Sequence, residues 1–113
     1  PTPGSTNTTL LSNDNSFYSA PEYFSLGQNY PNPFNPQTQF YYDLPKSGNI
    51  HLAIYDVLGK EVYAVLNGYQ RAGKHNVLWT GINNKGLKVQ SGIYFYRLTT
   101  DSEITTKKMV YTK

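Results

Sequence analysis

The sequence contains no cysteine among its 113 residues. This absence excludes disulfides, thiolate metal ligands and cysteine nucleophiles. Long apolar runs are missing as well, because no stretch approaches the ~18 residues of a membrane-spanning helix, so we expect no membrane insertion. No signal-peptide pattern is present either. Since the chain begins at Pro1 and not at methionine, we expect a piece of a longer protein, with any export signal upstream.

Charged residues are sparse, and the excess of basic ones is small. The formal net charge is +3, and the lysines and arginines are scattered along the chain. Nucleic-acid binding requires a basic face or stripe, so we expect no nucleic-acid partner. The densest basic stretch is Lys107-Lys108 together with Lys113. This stretch is typical of a solvated last strand, and it also fits a tail that a receptor recognises.

The residue patterns of common active sites are also absent. Most of the seven carboxylates fall at expected turns or strand ends, and no pair is placed to face another across a cleft, as a glycosidase requires. His51 and His75 lack a third ligand at metal spacing and a nucleophile partner. The glycines are spaced by hairpins and form no phosphate-binding loop before a helix. We therefore predict that the chain is not an enzyme and holds no metal or cofactor.

Two regions of different composition divide the chain. Residues 1–24 are rich in Pro, Ser, Thr and Asn and contain few large apolar side chains. Such a segment buries too little surface to offset the entropy that it loses on ordering. We interpret 1–24 as a flexible linker from an upstream domain, and 25–113 as one folded domain.

Within the folded domain, short runs of alternating apolar and polar residues lie between recurring turn signals, and no segment keeps a helical period. This pattern predicts an antiparallel β-sandwich or barrel of six or seven strands, in which two sheets share one core. Trp79 is the expected anchor of that core because it buries the largest apolar surface. The expected strands are Thr38–Leu44, Asn49–Tyr55, Glu61–Leu66, His75–Thr80, Gly92–Thr99 and Glu103–Tyr111, with a further short strand at Val89.

The run Asn49–Tyr55 alternates most cleanly. Its apolar residues at positions 50, 52 and 54 are expected to face the core, whereas His51, Ala53 and Tyr55 are expected to face solvent. The stretch DVLGKEV follows and is expected to form a hairpin turn. Gly59 is expected to take the left-handed conformation in that turn.

The stretch QNYPNPFNPQTQF, residues 28–40, precedes the first expected strand. Its three prolines fix their own φ angles, restrict the residues before them and remove three backbone donors, so the stretch cannot be a central strand. Asn32 and Asn35 are expected to start two Asx turns. Phe34, between them, is expected to insert into the core. We predict a stiff segment that folds over one end of the sandwich and protects a sheet edge.

Tyrosine is abundant, with 11 residues. Aromatic side chains aligned on a sheet stack on sugar rings, and small β-sandwiches linked to secreted hydrolases often bind polysaccharide. A carbohydrate-binding or spacer module of a secreted hydrolase is therefore the alternative interpretation, although strand propensity alone also explains the tyrosines. The strip would consist of Tyr41, Tyr55, Tyr63, Tyr69, Tyr94, Tyr96 and Tyr111.

Five motifs follow one another from about Ser25 to Lys113: LGQNYPNPFNPQTQFYYDLP, IYDVLGKEV, GKHNVLWTG, SGIYFYRL and KKMVYTK. In this order they resemble the type A C-terminal sorting domain of the type IX secretion system. They are also similar to the immunoglobulin-like module of flagellar-hook capping proteins. The resemblance implies a seven-stranded immunoglobulin-like sandwich at the C-terminus of a protein exported by Bacteroidetes-type bacteria.

The resemblance also implies partners, a route and a set of site residues. The domain would direct a cargo domain of the same chain from the periplasm through the outer-membrane translocon. A surface sortase would then remove it, so that the cargo reaches the cell surface or the medium. Two departures from the family pattern are Thr80, where Asp is common, and Tyr111-Thr112, where two apolar residues are common. The implied recognition residues are Pro31, Asn32, Pro33, Phe34, Asn35, Pro36, Gly59, Gly92, Tyr94, Lys107, Lys108 and Val110.

Overall fold

The computed structural model describes residues 20–112. Its elements are β1 (Ser25–Leu26), β2 (Thr38–Leu44), β3 (Gly48–Tyr55), β4 (Glu61–Gln70), β5 (Gly73–Trp79), β6 (Gly92–Thr99) and β7 (Ile104–Tyr111). They form two antiparallel sheets with the orders β1-β2-β5 and β4-β3-β6-β7, and no helix occurs in this part of the chain. The predicted all-β sandwich of about seven strands is confirmed. The predicted linker lies outside the described residues except for 20–24.

Alternation along each strand decides which side chains enter the core. In β2, Phe40, Tyr42 and Leu44 are buried, whereas Gln39 and Tyr41 between them are exposed. Successive side chains of a strand point to opposite faces, so each sheet gains one apolar face that it must cover. The two sheets cover each other, and at ~25 cal/mol per Å² of apolar area this burial is the main stabilising contribution.

Ala53 on β3 is an exception to the exposure that the alternation predicts. The expectation that it faces solvent is wrong, because Ala53 is completely buried. Its neighbours across the sheet are Ala64 on β4 and Arg97 on β6. The Arg97 guanidinium lies 4.9 Å from the centre of the Tyr55 ring on the same outer face. We attribute the burial of the short Ala53 methyl group to the longer side chains of Arg97 and Tyr55 beside it.

Strand β4 extends to Gln70, beyond the expected end at Leu66. The Asn-Gly pair at 67–68 looks like a turn in the sequence, but Gly68 pairs with Ile50 inside the ladder. The chain turns only at 71–72. A glycine in the interior of a strand and a glycine in a turn give the same sequence signal, and the pairing partner decides between them.

Two short pairings also differ from the expectation. The sequence pattern does not predict β1, because two residues are too few for alternation to appear, yet it pairs with Asp43 and Tyr42 of β2. The short strand expected at Val89 is wrong. Instead, Ile82 and Lys88 form an isolated bridge across the loop between β5 and β6.

Trp79, at the end of β5, lies in the middle of an aromatic cluster that joins the two sheets. It is 1% exposed, and its ring centre lies 5.6 Å from that of Phe34 and 5.6 Å from that of Tyr94. The indole Nε1–H donates to the Ile82 carbonyl at 2.9 Å, so its one polar group is satisfied. The core is therefore dense in aromatic side chains at the end of the sandwich where β5 stops.

Candidate recognition site

The sandwich has two ends built from different parts of the chain. The linker end comprises residues 20–24 with the turns 45–47 and 100–103, which line one pocket together. Strands β3 and β7 both run from the linker end to the opposite end of the sandwich. Residues 20–24 therefore lie at one end of the domain, and the last residues of β7 lie at the other. We call this second end the proline end; it comprises the proline segment (28–37), the β3–β4 turn (56–60), the loop 80–91 and the last residues of β7.

The proline segment is hydrogen-bonded to both sheets. The Tyr30 N–H donates to the Gln39 carbonyl of β2 at 2.8 Å, and the Gln39 N–H returns a bond to the Tyr30 carbonyl at 3.0 Å. Further along, the Phe34 N–H donates to the Val110 carbonyl and the Thr112 N–H donates to the Phe34 carbonyl, both at 3.0 Å. The segment thus covers the outer edge of β7 at the proline end, as the predicted protection of a sheet edge requires.

Phe34 fastens the proline segment from inside the core. Its side chain is 1% exposed, and its ring stacks on that of Tyr111 with centres 4.8 Å apart and an interplanar angle of 18°. The predicted insertion of Phe34 is confirmed. Because Tyr111 belongs to β7, the same side chain joins the beginning of the domain to its last strand.

The asparagines of the segment act differently from the expectation. The Asx turn expected at Asn32 is wrong, because its side-chain Oδ1 instead accepts the Val110 N–H at 2.8 Å. Asn35, an exposed residue, makes no Asx-turn bond within residues 20–112. The Val110 N–H points to the outer edge of β7, where no neighbouring strand of the described residues accepts it. The Asn32 side chain supplies the acceptor that such a strand would provide.

Asn29 is the asparagine that the sequence does not single out. It is 3% exposed, and its Nδ2 donates to Thr38 Oγ1 at 2.9 Å and to the Pro31 carbonyl at 3.2 Å. Gln28 Nε2 donates both to Asn29 Oδ1 at 2.6 Å and to the Lys108 carbonyl of β7 at 2.9 Å. This network ties the start of the proline segment to Thr38 at the beginning of β2 and to Lys108 on β7. Its only sequence signal, an asparagine near a proline, is shared by Asn32 and Asn35.

Asn29→Ala is expected to lower the free energy of unfolding by about 1–3 kcal/mol, because buried partners lose their hydrogen bonds. Asn35→Ala, at an exposed position of the same segment, is the matched control and is expected to change it by about 0.5 kcal/mol or less. Urea unfolding of both variants measures the difference. Indistinguishable midpoints would mean that the Asn29 network adds no stability.

The two predicted glycines and Tyr94 have structural roles at the proline end. Gly59 has φ 84° in the β3–β4 turn, which confirms its predicted left-handed conformation, and Gly92 begins β6 opposite Tyr111. Tyr94 is buried, its hydroxyl donates to the Gln90 carbonyl at 2.6 Å, and burial raises its pKa. Gly59 and Gly92 lie at the surface of the proline end, whereas Tyr94 lies in the core beneath it.

Lys107 and Lys108 lie on opposite faces of β7. Lys107 pairs across the sheet with Tyr96 and is half-buried on the core side, whereas Lys108 pairs with Phe95 and is exposed on the outer face. Successive residues of a strand alternate in direction, so the two lysines do not form one basic patch. Val110 is half-buried and is held by both Asn32 and Phe34. Among the predicted recognition residues, the structure therefore joins those of the proline segment to Val110 and leaves Gly59 on a separate turn.

The predicted strip of tyrosines does not form. Tyr94, Tyr96 and Tyr111 belong to the core, and burial raises the pKa of Tyr96 to about 12. Tyr41 and Tyr69 are exposed, but they lie on β2 and β4, which belong to different sheets. The tyrosines of the predicted strip therefore do not share one sheet face. The carbohydrate-binding alternative thus loses the feature on which it depends.

Within residues 20–112, no three His, Asp or Glu side chains come close enough together to hold a metal ion. The described residues also include no helix of the length and apolarity needed to span a membrane.

Comparisons with known proteins agree with this architecture. The solved structure of PorZ, an essential surface component of the type IX secretion system of Porphyromonas gingivalis, is similar over 76% of this chain and 11% of its own, with 16% identity and a TM-score of 0.53. FlgD from P. aeruginosa is similar over 66% of this chain and 59% of its own, with 23% identity and a TM-score of 0.50. Both likenesses support the fold alone, and the chain spans less than two thirds of either protein. A comparison with curated proteins finds no match.

The sequence itself carries the more specific relationship. Residues 28–112 match the protein family described as "Secretion system C-terminal sorting domain". The match begins in the proline segment and ends just after β7, so it includes both of the parts that meet at the proline end. Since it covers most of the chain, the protein belongs to the family of C-terminal sorting domains of the type IX secretion system.

Proposed function

We propose that this domain is the secretion signal of a longer cargo protein, and that it directs this cargo through the outer membrane by the type IX system. The observation that carries the proposal is the joining of two motifs that are far apart in sequence. The proline segment and the end of β7 share backbone hydrogen bonds and a stacked aromatic pair. A surface made from both exists only in the folded domain, so a receptor that binds it selects folded domains.

The translocon is proposed to bind at the proline end and along the outer edge of β7. Over residues 104–107 that edge pairs with no strand within the described residues, so a strand of the partner can add to it. Ile104 is exposed beside this edge, and Lys108 is exposed on the outer face. The lysine favours a partner with acidic groups and speeds its approach.

The cargo is proposed to be attached through residues 1–24, which reach the domain at the linker end. That position keeps the cargo away from the proposed contact surface. Polar segments at chain termini are preferred cleavage sites, so the surface sortase is proposed to cut there. The domain acts as an address and performs no catalysis. It passes through the periplasm and finishes at the cell surface or outside the cell.

Fusion of residues 1–113 to the C-terminus of a periplasmic reporter tests the proposal in a bacterium that has this secretion system. We expect the reporter at the cell surface or in the medium, whereas the reporter without the domain remains in the periplasm. Fractionation and immunoblotting measure the distribution. A wild-type fusion that stays in the periplasm would contradict the proposed function.

Deletion of residues 107–113 from the same fusion is expected to block export, but it also removes the core residues Met109 and Tyr111. The double variant Lys107→Ala/Lys108→Ala separates the two effects, because both side chains retain some exposure. Export of the deleted fusion at the wild-type level would exclude β7 as part of the signal. Normal export of the lysine variant alone would exclude only the basic contact.

A further inference from the structure

Two loops of the proline end have the same hydrogen-bonded construction. In the β3–β4 turn, the Gly59 N–H donates to the Asp56 carbonyl and the Asp56 N–H donates to the Lys60 carbonyl, both at 3.0 Å. Asp56 Oδ1 also accepts the N–H groups of Leu58 at 2.9 Å and Lys60 at 3.0 Å. The glycine has a left-handed φ of 84°. This is the three-residue hairpin loop in which a glycine follows a type I turn.

The second loop, residues 83–87, repeats these bonds. The Gly86 N–H donates to the Asn83 carbonyl at 2.9 Å, and the Asn83 N–H donates to the Leu87 carbonyl at 2.8 Å. Asn83 Oδ1 accepts the N–H groups of Lys85 at 2.9 Å and Leu87 at 3.1 Å, and Gly86 has φ 80°. Side-chain acceptors therefore fix both loops in one conformation, which reduces the entropy lost when a partner binds.

The loops are also fixed relative to each other. The Asn84 N–H donates to the Val62 carbonyl on the edge of β4 at 3.0 Å, and the Asn84 side chain accepts the Ala64 N–H at 2.8 Å. A groove of about 500 Å³ lies between the loops, and its lining combines Val62, Val89 and Tyr94 with polar and charged residues of the two loops. The two loops and the groove thus form one preformed surface.

The loop tips expose aliphatic side chains that contribute nothing to the core. Leu58 is 89% exposed and Val57 is 63% exposed on the first loop, and Leu87 is 61% exposed on the second. Single exposed apolar residues are ordinary. Three of them on two hydrogen-bonded loops beside one groove are typical of an interaction surface.

The charged side chains around the groove are two carboxylates, Asp56 and Glu61, and two lysines, Lys60 and Lys85. The Asp56 carboxylate is occupied by backbone N–H groups, and the Glu61 carboxylate lies 3.4 Å from His51 Nε2. Lys60 and Lys85 are exposed at the groove and pair with no carboxylate within residues 20–112. The two lysines are therefore the charged groups at the groove that have no partner in this part of the chain, and they are free to pair with carboxylates of a partner protein.

We propose that the two loops and the groove are a docking surface for a partner protein that inserts an apolar side chain flanked by carboxylates. The inference rests on the proposed function, since the partner is the component of the secretion machinery that receives the domain. A protein fits better than a lipid surface, because a flat membrane would contact the loop tips and leave the groove unfilled.

The test compares variants of the 1–113 reporter fusion. Leu58→Asp/Leu87→Asp and Lys60→Glu/Lys85→Glu are each expected to lower export about tenfold, which corresponds to ~1.4 kcal/mol of binding. The controls are Leu78→Asp, half-exposed on β5 in the other sheet, and Lys46→Glu at the linker end. Both controls are expected to stay within about twofold of wild type. Urea midpoints of the isolated 1–113 chain confirm that each variant is folded.

A photo-crosslinking amino acid at position 58 identifies what the surface touches during export, and the same amino acid at position 78 is the control. We expect a protein adduct at position 58 that is lost in the Lys60→Glu/Lys85→Glu background. Wild-type export of the loop variants, or no protein adduct at position 58, would overturn the inference and leave the proposed function standing. Binding to anionic phospholipid vesicles that depends on Leu58 and Leu87, without a protein adduct, would instead assign the surface to membrane contact. A wild-type fusion retained in the periplasm would count against the proposed function itself.

Discussion

Trp79→Ala is expected to lower the free energy of unfolding by about 3–5 kcal/mol, the range for truncation of a large buried aromatic side chain. The indole is almost completely buried between Phe34 and Tyr94, which come from different parts of the chain. Its removal leaves a cavity between the two sheets and deprives the Ile82 carbonyl of its donor. Urea or guanidinium unfolding, followed by circular dichroism, measures the change.

Leu78→Ala is the matched control on the same strand, because Leu78 precedes Trp79 and is 53% exposed. We expect this change to lower the free energy of unfolding by about 0.5 kcal/mol or less. The two variants differ mainly in which face of β5 loses a side chain. A Trp79→Ala midpoint equal to that of Leu78→Ala would contradict the assignment of Trp79 to the core.

Phe34→Ala is expected to destabilise the domain by about 3–5 kcal/mol and to loosen the contact between the proline segment and β7. The ring stacks on Tyr111, while its own backbone pairs with Val110 and Thr112. Without the ring, these hydrogen bonds lose the packing that holds them in register. Amide hydrogen exchange is therefore expected to accelerate at Val110 and Thr112 more than at central residues of β3.

Asn35→Ala is again the control, since Asn35 follows Phe34 directly and is exposed. It should leave both the urea midpoint and the exchange rates close to wild type. Uniform acceleration of exchange across all strands in Phe34→Ala would show that the ring stabilises the domain as a whole and does not act specifically on the contact with β7.

The fold follows from the sequence wherever a strand is long and buried on one face. The observed bounds of β2 and β6 are the expected ones, because each strand has one face toward solvent and one toward the core. The prediction fails where tertiary contacts decide. Gly68 continues a strand because Ile50 pairs with it, and Ala53 is buried although its position in the alternation is on the outer face.

The candidate recognition site is less predictable, because it depends on contacts between distant residues. The sequence marks the proline segment and the last strand separately, and nothing in either predicts that Asn32 accepts a hydrogen bond from Val110. The opposite directions of Lys107 and Lys108 do follow from the two-residue period of a strand. The matched loops are not apparent either, since DVLGK and NNKGL share only the glycine, and the similarity lies in their backbone bonds.

The stacking of Phe34 on Tyr111 also bears on how the protein is made. During translation of this domain the proline segment is made before β7. The pocket for Phe34 therefore lacks Tyr111 until β7 has left the ribosome. By that moment everything upstream has already been synthesised. A messenger RNA truncated anywhere before the β7 codons would yield a polypeptide in which the pocket for Phe34 stays open, so the surface that joins the proline segment to β7 would never form.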